Sequence, residues 1–155
     1  MKDWREALGM TLHPEGGAFR EIYRSPDEVT PGDGRANRPS LTHIYFHLSP
    51  SEVSRFHRVA SDEVWHLYEG EGFTLYQWEE GDSEVRRIYV GGEENPHCHI
   101  VPAGAWQAAE PVNGPVLVGC TVGPGFVFED FCLIEKDSPV ASAILKADPS
   151  LNKLL

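Results

Sequence analysis

The sequence predicts an all-β protein, and three observations lead to that prediction. Fifteen glycines and 12 prolines divide the 155-residue chain into short segments. The segments between them are rich in Val, Ile, Phe, Tyr and Trp, which pack well on a pleated sheet. The sequence also lacks the alternation of strand and helix patterns that indicates a parallel α/β sheet. A chain of this kind closes into a β-sandwich or a barrel.

Each predicted strand is a run of β-forming residues bounded by turn-prone residues. Ten runs fit this description, in the order AFREIYR, LTHIYFHL, SRFHRVA, EVWHLYEG, FTLYQWE, EVRRIYV, HCHIVPA, WQAAEP, PVLVGCTV and DFCLIEK. Helical patterns occur only near the two ends, at residues 3–8 and after Asp137, where Ser138 can cap a helix that begins at Pro139. Residues 25–40 are polar and rich in Pro, Gly and Asp, so we expect a loop that covers or flanks a site.

Length and composition narrow the classes of function. A chain of 155 residues is of ordinary single-domain size, and we expect one domain over residues 1–155. The net charge of -11 disfavours nucleic acid and anionic membranes as partners, so a small-molecule ligand is expected. The N-terminal residues do not resemble a secretory signal, and the three cysteines form no paired framework. We therefore expect a cytoplasmic protein with buried, reduced thiols.

The densest group of chemically active side chains lies in SRFHRVASDEVWHLYEG, residues 54–70. Side chains alternate between the two faces of a strand, so if the strands on either side of the Ser61-Asp62 turn pair, His57 and Glu63 converge. His66 then lies on the opposite face. Burying an imidazole and a carboxylate is costly unless they are paired or used. The sequence predicts a functional His57/Glu63 pair, or two residues that only hydrogen-bond each other at a strand end.

These residues resemble a known superfamily. Glu63 and Gly70, with His57 upstream, are spaced like the first motif of the cupins, and Pro102 and Gly104 in VPAGAWQ fit part of the second motif. Four blocks in order, HPEGGAFREIYRS, SRFHRVASDEVWHLYEG, VPAGAWQAA and GCTVGPGFVFEDF, resemble an uncharacterised family of small cupins over residues 13–134. The resemblance implies a jelly-roll cupin barrel, with the predicted short helices at its ends.

The sequence departs from the cupin metal motifs at two of the four usual ligand positions. Val59 stands where the first motif has a second histidine, and Gln107 stands at the histidine position of the second motif. Glutamine is a poorer ligand than imidazole for transition metals, so no cofactor is expected to be tightly held. A divalent metal would require His57 and Glu63 together with His66, turned inward by a β-bulge.

The resemblance implies three functions that remain open at this point. The first is a metal-independent epimerase or isomerase acting on a sugar or carbonyl compound, with His57 and Glu63 as catalytic residues. The second is a metal-dependent dioxygenase, isomerase or lyase, and the third is a protein that binds a small ligand without turnover. The side chains expected to bind the ligand are Glu15, Tyr45, Trp65, His66 and Gln107. We also expect a homodimer, because small cupin barrels protect their sheet edges by pairing.

Overall fold

The computed structural model describes residues 2–155, which form two antiparallel β-sheets packed face to face. The strands are β1 Thr11–Leu12, β2 Ala18–Arg24, β3 Glu28–Val29, β4 Arg38–Pro39, β5 Thr42–Leu48, β6 Ser54–Val59, β7 Asp62–Glu69, β8 Gly72–Trp78, β9 Arg86–Gly91, β10 Cys98–Val101, β11 Trp106–Pro111, β12 Val116–Gly123 and β13 Phe131–Leu133. The α-helices are α1 Trp4–Ala7 and α2 Pro139–Ala147, and 3₁₀ turns span Phe128–Asp130 and Pro149–Leu154. This is the predicted all-β jelly roll with short terminal helices.

The strand order divides the barrel into a six-stranded and a five-stranded sheet. The six-stranded sheet runs β1-β2-β5-β12-β7-β10, and the five-stranded sheet runs β13-β6-β11-β8-β9. The ten runs predicted as strands all form strands, whereas β1, β3 and β4 contain two residues each and are too short to leave a pattern. The β3–β4 hairpin lies within residues 25–40, so the predicted loop carries a small sheet of its own.

The pairing of β6 and β7 differs from the sequence expectation. β6 pairs with β11 and β13, and β7 pairs with β10 and β12, so the two strands belong to opposite sheets. His57 and Glu63 therefore face one another across the barrel interior and do not sit side by side on one sheet. The Ser61-Asp62 segment is a crossover between the sheets, because both strands find partners that are distant in the sequence.

Two hydrophobic clusters hold the layers together. One fills the space between the sheets and includes Phe46, Trp65 and Phe73, all less than 2% exposed. The other lies on the outer side of the five-stranded sheet, where Ile144 of α2 and Leu151 of the last 3₁₀ turn cover it. Burial of each such side chain contributes about 1.5–3 kcal/mol. The five-stranded sheet is thus buried on both faces.

The helix starts agree with the sequence signals. Asp3 accepts hydrogen bonds from the first backbone N–H groups of α1, and the Ser138 hydroxyl accepts one from Ala141 N at the start of α2. These side chains satisfy N–H groups that have no partner within the helix. Among residues 2–155, no helix is both long and apolar enough to cross a membrane.

Candidate functional site

A cavity of about 270 Å³ opens between the two sheets. We call it the barrel cavity. Its polar lining includes His13, Glu15, His57 and Glu63. The apolar lining and the rim are formed by Phe19, Ile44, Val59, Val122, Phe126, Val127, Phe128 and Phe131. This volume lies just below the range of about 300–1,000 Å³ for ligand pockets, so the cavity suits a small molecule.

Glu15 and His57 form the central pair of the barrel cavity. The Nε2 atom of His57 lies 3.0 Å from Oε2 of Glu15, and both side chains are less than 10% exposed. The Nδ1 atom of His57 lies 2.7 Å from the carbonyl oxygen of Arg55. Because a carbonyl oxygen can only accept, Nδ1 carries a proton, and neutral His57 has its lone pair on Nε2. The sequence placed Glu15 among the ligand-binding residues, and the structure makes it the direct partner of His57.

The burial of this pair favours its uncharged form. Desolvation lowers the pKa of His57, and desolvation together with the charge of Glu63 raises the pKa of Glu15 well above its usual range. The Ser54 hydroxyl donates to Oε1 of Glu15 at 2.9 Å, which fixes the carboxyl group. The other oxygen of Glu15 can then share one proton with Nε2 of His57. The pair is an acid and base that hold a single exchangeable proton between them.

Glu63 reaches the barrel cavity from the other sheet and is oriented by a chain of hydrogen bonds. Gln107 Nε2 donates to Oε1 of Glu63 at 2.7 Å, and Gln107 Oε1 accepts from the indole N–H of Trp65 at 2.7 Å. Burial raises the pKa of Glu63 to about 7, and the Gln107 hydrogen bond partly opposes that rise. Trp65 and Gln107 are nearly fully buried and stand behind Glu63, where they fix its carboxyl group.

His13 adds an imidazole to the barrel cavity that the sequence analysis did not single out. It stands in the HPEGG turn, with its side chain 6% exposed and its Nδ1 atom 3.6 Å from Oε2 of Glu15. Desolvation lowers the pKa of His13 to about 4. The sequence contained a signal for His13, because this histidine stands close to Glu15 and to the Gly16-Gly17 pair. The glycine pair indicates a turn, and this turn brings the side chains of His13 and Glu15 back toward the sheet.

An aromatic rim forms the mouth of the barrel cavity, built from Phe126, Phe128 and Phe131. Residues 25–40 hold this rim in place, as the sequence suggested when it predicted a flanking loop. Asp130 accepts hydrogen bonds from Arg35 and Arg38, both in that segment, at 2.8–3.0 Å. These bonds join the loop to the segment that carries the rim.

The charged groups of the rim are already paired with one another. Arg24, the cationic side chain that lines the barrel cavity, is engaged by both carboxylate oxygens of Glu21 at 2.9 Å. It also donates to the carbonyl oxygen of Phe126 at 3.0 Å. Among residues 2–155, the polar end of the cavity therefore contains carboxyl and imidazole groups, and Arg24 is the one lysine or arginine in the lining.

Of the side chains expected to bind the ligand, Glu15 lines the barrel cavity, Trp65 and Gln107 lie behind Glu63, and Tyr45 and His66 lie elsewhere. Thr42, Ile44 and Phe46 of β5 point inward, so Tyr45 faces the opposite side of the six-stranded sheet. His66 lies on that same side. The structure does not bring Tyr45 or His66 to the barrel cavity.

These two residues belong to a group that we call the outer-face cluster: His43, Tyr45, His66, Tyr68 and Thr121. His43 Nδ1 and His66 Nε2 contact the Thr121 hydroxyl at 2.7 and 3.1 Å, and the Tyr68 hydroxyl lies 2.9 Å from His43 Nε2. The rings of Tyr45 and Tyr68 pack edge to face. The other histidine of β5, His47, is buried beneath Arg5 of α1.

The residues present do not fit a metal site built from His57, Glu63 and His66. His66 is on the outer face and bonded to Thr121, while His57 uses Nδ1 for Arg55 and turns Nε2 toward Glu15. The register shift between β12 and β7, where Leu117 pairs with Glu69 and Val118 with Leu67, does not turn His66 inward. Within residues 2–155, no group of three or more His, Cys, Asp or Glu side chains has positions suitable for holding a metal ion.

The cysteines differ in their surroundings, contrary to the expectation that all three are buried. Cys120 is buried and lines the barrel cavity, whereas Cys98 and Cys132 are exposed. Burial and the nearby charges of Glu63 and Glu15 raise the pKa of the Cys120 thiol well above its usual range. Cys120 is therefore a protonated thiol and a poor nucleophile.

Comparisons with solved structures identify relatives over the whole chain. A protein from Shewanella oneidensis is 30% identical, with a TM-score of 0.87 over 100% of this chain and 98% of that protein. A hypothetical protein from Leishmania major is 28% identical, with a TM-score of 0.79 over 95% of this chain and 91% of its own. No curated protein matches the sequence.

A more distant similarity concerns the fold alone. The capsular polysaccharide assembling protein CapF from Staphylococcus aureus is 18% identical, with a TM-score of 0.62 over 81% of this chain and 31% of CapF.

The family model described as cupin superfamily (DUF985) matches residues 2–134. This match covers both sheets and every residue that lines the barrel cavity, and the chain belongs to the DUF985 family of the cupin superfamily.

Proposed function

We propose that the protein binds a small polar metabolite, a sugar or a related carbonyl compound, in the barrel cavity and transfers protons to and from it as an epimerase or isomerase. The observation that carries this proposal is that one small cavity holds two proton-exchanging units. One is the Glu15–His57 pair, 3.0 Å apart, and the other is Glu63.

The two units are suited to different halves of a proton transfer. Glu63, with its pKa raised to about 7, is divided between carboxylate and acid near neutral pH, where a general base works best. The Glu15–His57 pair holds a proton that it can donate and later recover. His57 and Glu63 therefore keep the catalytic roles expected from the sequence, with Glu15 added to them.

The reaction can be written with its protons balanced. The Glu63 carboxylate removes the proton from the carbon beside a carbonyl group, and the C–H electron pair forms a carbon–carbon double bond. The carbonyl π electrons move to oxygen, which gives an enol or enolate. The Glu15–His57 pair then returns a proton to carbon, and exchange with solvent restores both units.

The test is the exchange of carbon-bound protons with deuterium oxide, followed by NMR across aldoses, ketoses and 2-oxo acids. We expect exchange in at least one compound, a loss of roughly 100-fold or more in Glu63→Gln, and a wild-type rate in the outer-face control His43→Gln. Loss of exchange on treatment with a chelator would indicate metal-dependent chemistry. Binding without exchange in every compound would indicate a ligand-binding protein without turnover.

We also propose that the chain forms a homodimer through the outer side of the six-stranded sheet. Tyr23, Tyr68 and Ile100 lie on that side and are 49%, 46% and 59% exposed. These side chains are uncharged, on a chain with a net charge of -11 that repels its own copies elsewhere. A second copy that uses the same side makes a symmetric, self-complementary contact.

Ile100→Asp is expected to convert a dimer into a monomer, because it places two carboxylates within the contact. Light scattering during gel filtration measures the mass directly. Val29→Asp is the control, since it changes an exposed apolar residue on β3, outside the six-stranded sheet. A monomeric wild-type protein, or a dimer unaffected by Ile100→Asp, would contradict the proposal.

A further inference from the structure

The HPEGG turn holds His13 in one position at the barrel cavity. His13 N donates to the carbonyl oxygen of Gly17 at 3.0 Å, and Gly16 N donates to the carbonyl oxygen of His13 at 3.0 Å. Gly17 has a φ of 73°, and a Cβ atom there would lie 2.7 Å from the carbonyl oxygen of His47. The turn therefore requires glycine, and the side chain of His13 is fixed by the backbone that surrounds it.

The hydrogen bonds of this turn fix the tautomer of His13. The backbone N–H of Glu15 donates to Nδ1 of His13 at 3.2 Å. Because a backbone N–H can only donate, Nδ1 is an acceptor and neutral His13 carries its proton on Nε2. This tautomer is opposite to that of His57, whose Nδ1 donates to Arg55 O. The barrel cavity thus contains one imidazole with an Nε2 lone pair and one with an Nε2–H group.

The Nε2–H group of His13 has no acceptor among the side chains and backbone groups of residues 2–155. Among residues 2–155, Trp106 Nε1 is the one fully enclosed side-chain polar atom that lacks a hydrogen-bond partner. The Nε2 atom of His13 also lacks a partner, so it is not fully enclosed by the protein. A side chain that is 94% buried, lines the barrel cavity and retains an unused donor is positioned for an acceptor on a ligand.

The surroundings of His13 keep it uncharged when the ligand is bound. Its ring packs against Phe19, Phe46, Phe128 and Phe131, with centroids 4.8–6.2 Å away. These rings desolvate the imidazole, which lowers its pKa to about 4. A neutral imidazole donates a hydrogen bond without giving up its proton, and this is what an oxygen that becomes negative during the reaction requires.

We propose that His13 is a further catalytic residue, which donates a hydrogen bond from Nε2 to the carbonyl oxygen of the ligand. This inference rests on the proposed function and specifies the ligand as an uncharged carbonyl compound. When Glu63 removes the α-proton, the electron pair arrives on the oxygen that His13 contacts. The proton stays on His13, and the oxygen becomes a carbonyl again when carbon is reprotonated.

The first experiment needs only the unmodified protein, labelled with ¹⁵N. The imidazole nitrogens report the tautomer, and we expect the proton of His13 on Nε2 and a neutral ring at pH 6. Hydroxyacetone is expected to shift the Nε2–H signal, whereas propane-1,2-diol, which lacks the carbonyl, leaves it unchanged. A proton on Nδ1, a charged ring at pH 6, or an equal response to both probes would overturn the inference.

The second experiment measures deuterium exchange at the α-carbons of hydroxyacetone. His13→Phe keeps an aromatic ring and removes the donor, so exchange is expected to slow roughly 100-fold. His13→Gln supplies an amide N–H and is expected to recover part of the rate. Exchange at the wild-type rate in His13→Phe would overturn the role of His13 and leave the proposed function standing. A carbonyl-specific NMR shift without exchange in hydroxyacetone or in any of the aldoses, ketoses and 2-oxo acids would overturn the proposed function and the catalytic role of His13, and would leave only its hydrogen bond to the carbonyl oxygen of the ligand.

Discussion

The barrel cavity and the outer-face cluster both contain histidines and lie on opposite sides of the six-stranded sheet, yet they favour different chemistry. Each has histidines with hydroxyl or carboxyl partners at 2.7–3.1 Å. In the cavity, His57 and Glu63 are less than 10% exposed, and desolvation brings the pKa of Glu63 to about 7. On the outer face of a single protomer, Tyr68 is 46% exposed, and water can replace any partner that is lost. Burial, together with the carboxyl partners that only the cavity histidines have, separates the two regions.

The tautomers extend this comparison within the barrel cavity itself. Backbone groups determine which nitrogen of each cavity histidine carries the proton. The proton lies on Nε2 in neutral His13 and on Nδ1 in neutral His57. In the outer-face cluster the partners of His43 are hydroxyl groups, which can both donate and accept, so its tautomer is left free. A fixed tautomer gives each cavity histidine one role toward a ligand.

The pH dependence of stability should show the largest difference between the two regions. The folded-state pKa of Glu63 is about 7, above its ordinary value of 4.5, so the folded protein binds the proton more tightly than the unfolded chain does. The resulting stabilisation is complete below pH 4.5 and is lost as the pH rises to about 7. The loss for this one group is about 3 kcal/mol.

Urea unfolding of wild type and Glu63→Gln from pH 4.5 to 8 measures that loss. We expect the wild-type free energy of unfolding to fall relative to the variant by that amount, because the glutamine does not titrate. Glu80→Gln changes an exposed carboxylate and is the control. Parallel pH profiles for wild type and Glu63→Gln would show that Glu63 ionises normally, and the comparison between the two regions would lose its basis.

The local sequence predicts the strands well because hydrophobic alternation and turn residues are local properties. The local sequence does not predict which strands pair with one another, as β6 and β7 illustrate. His57 and Glu63 meet in the barrel cavity, although their strands lie in opposite sheets. The alternation rule correctly placed His57 and Glu63 inside and His66 away from them, since that rule does not depend on which strands pair.

The partners within the site could not be derived from the sequence. Glu15 lies 42 residues from His57 in the chain, and Gln107 lies 44 residues from Glu63, as their numbers show. Only the closure of the barrel brings these pairs together. Tyr45 was misplaced for a different reason: a tyrosine on a half-polar strand suits either face, and the inward positions of β5 are taken by Thr42, Ile44 and Phe46.

The removal of one hydroxyl from each region gives the finest test of the comparison. Ser54→Ala deletes a hydroxyl, 0% exposed in the serine, that donates to Glu15 at 2.9 Å, and it leaves a buried carboxyl oxygen without that partner. Tyr68→Phe deletes the hydroxyl that contacts His43 at 2.9 Å on the outer face. We expect Ser54→Ala to cost about 2 kcal/mol and Tyr68→Phe about 0.5 kcal/mol. Urea unfolding of both variants at one pH, each made in the Ile100→Asp background so that no second copy covers Tyr68, measures these costs. Equal costs would mean that water reaches Glu15 as easily as it reaches His43, and Glu15 would then lack the desolvation on which its shared proton with His57 depends.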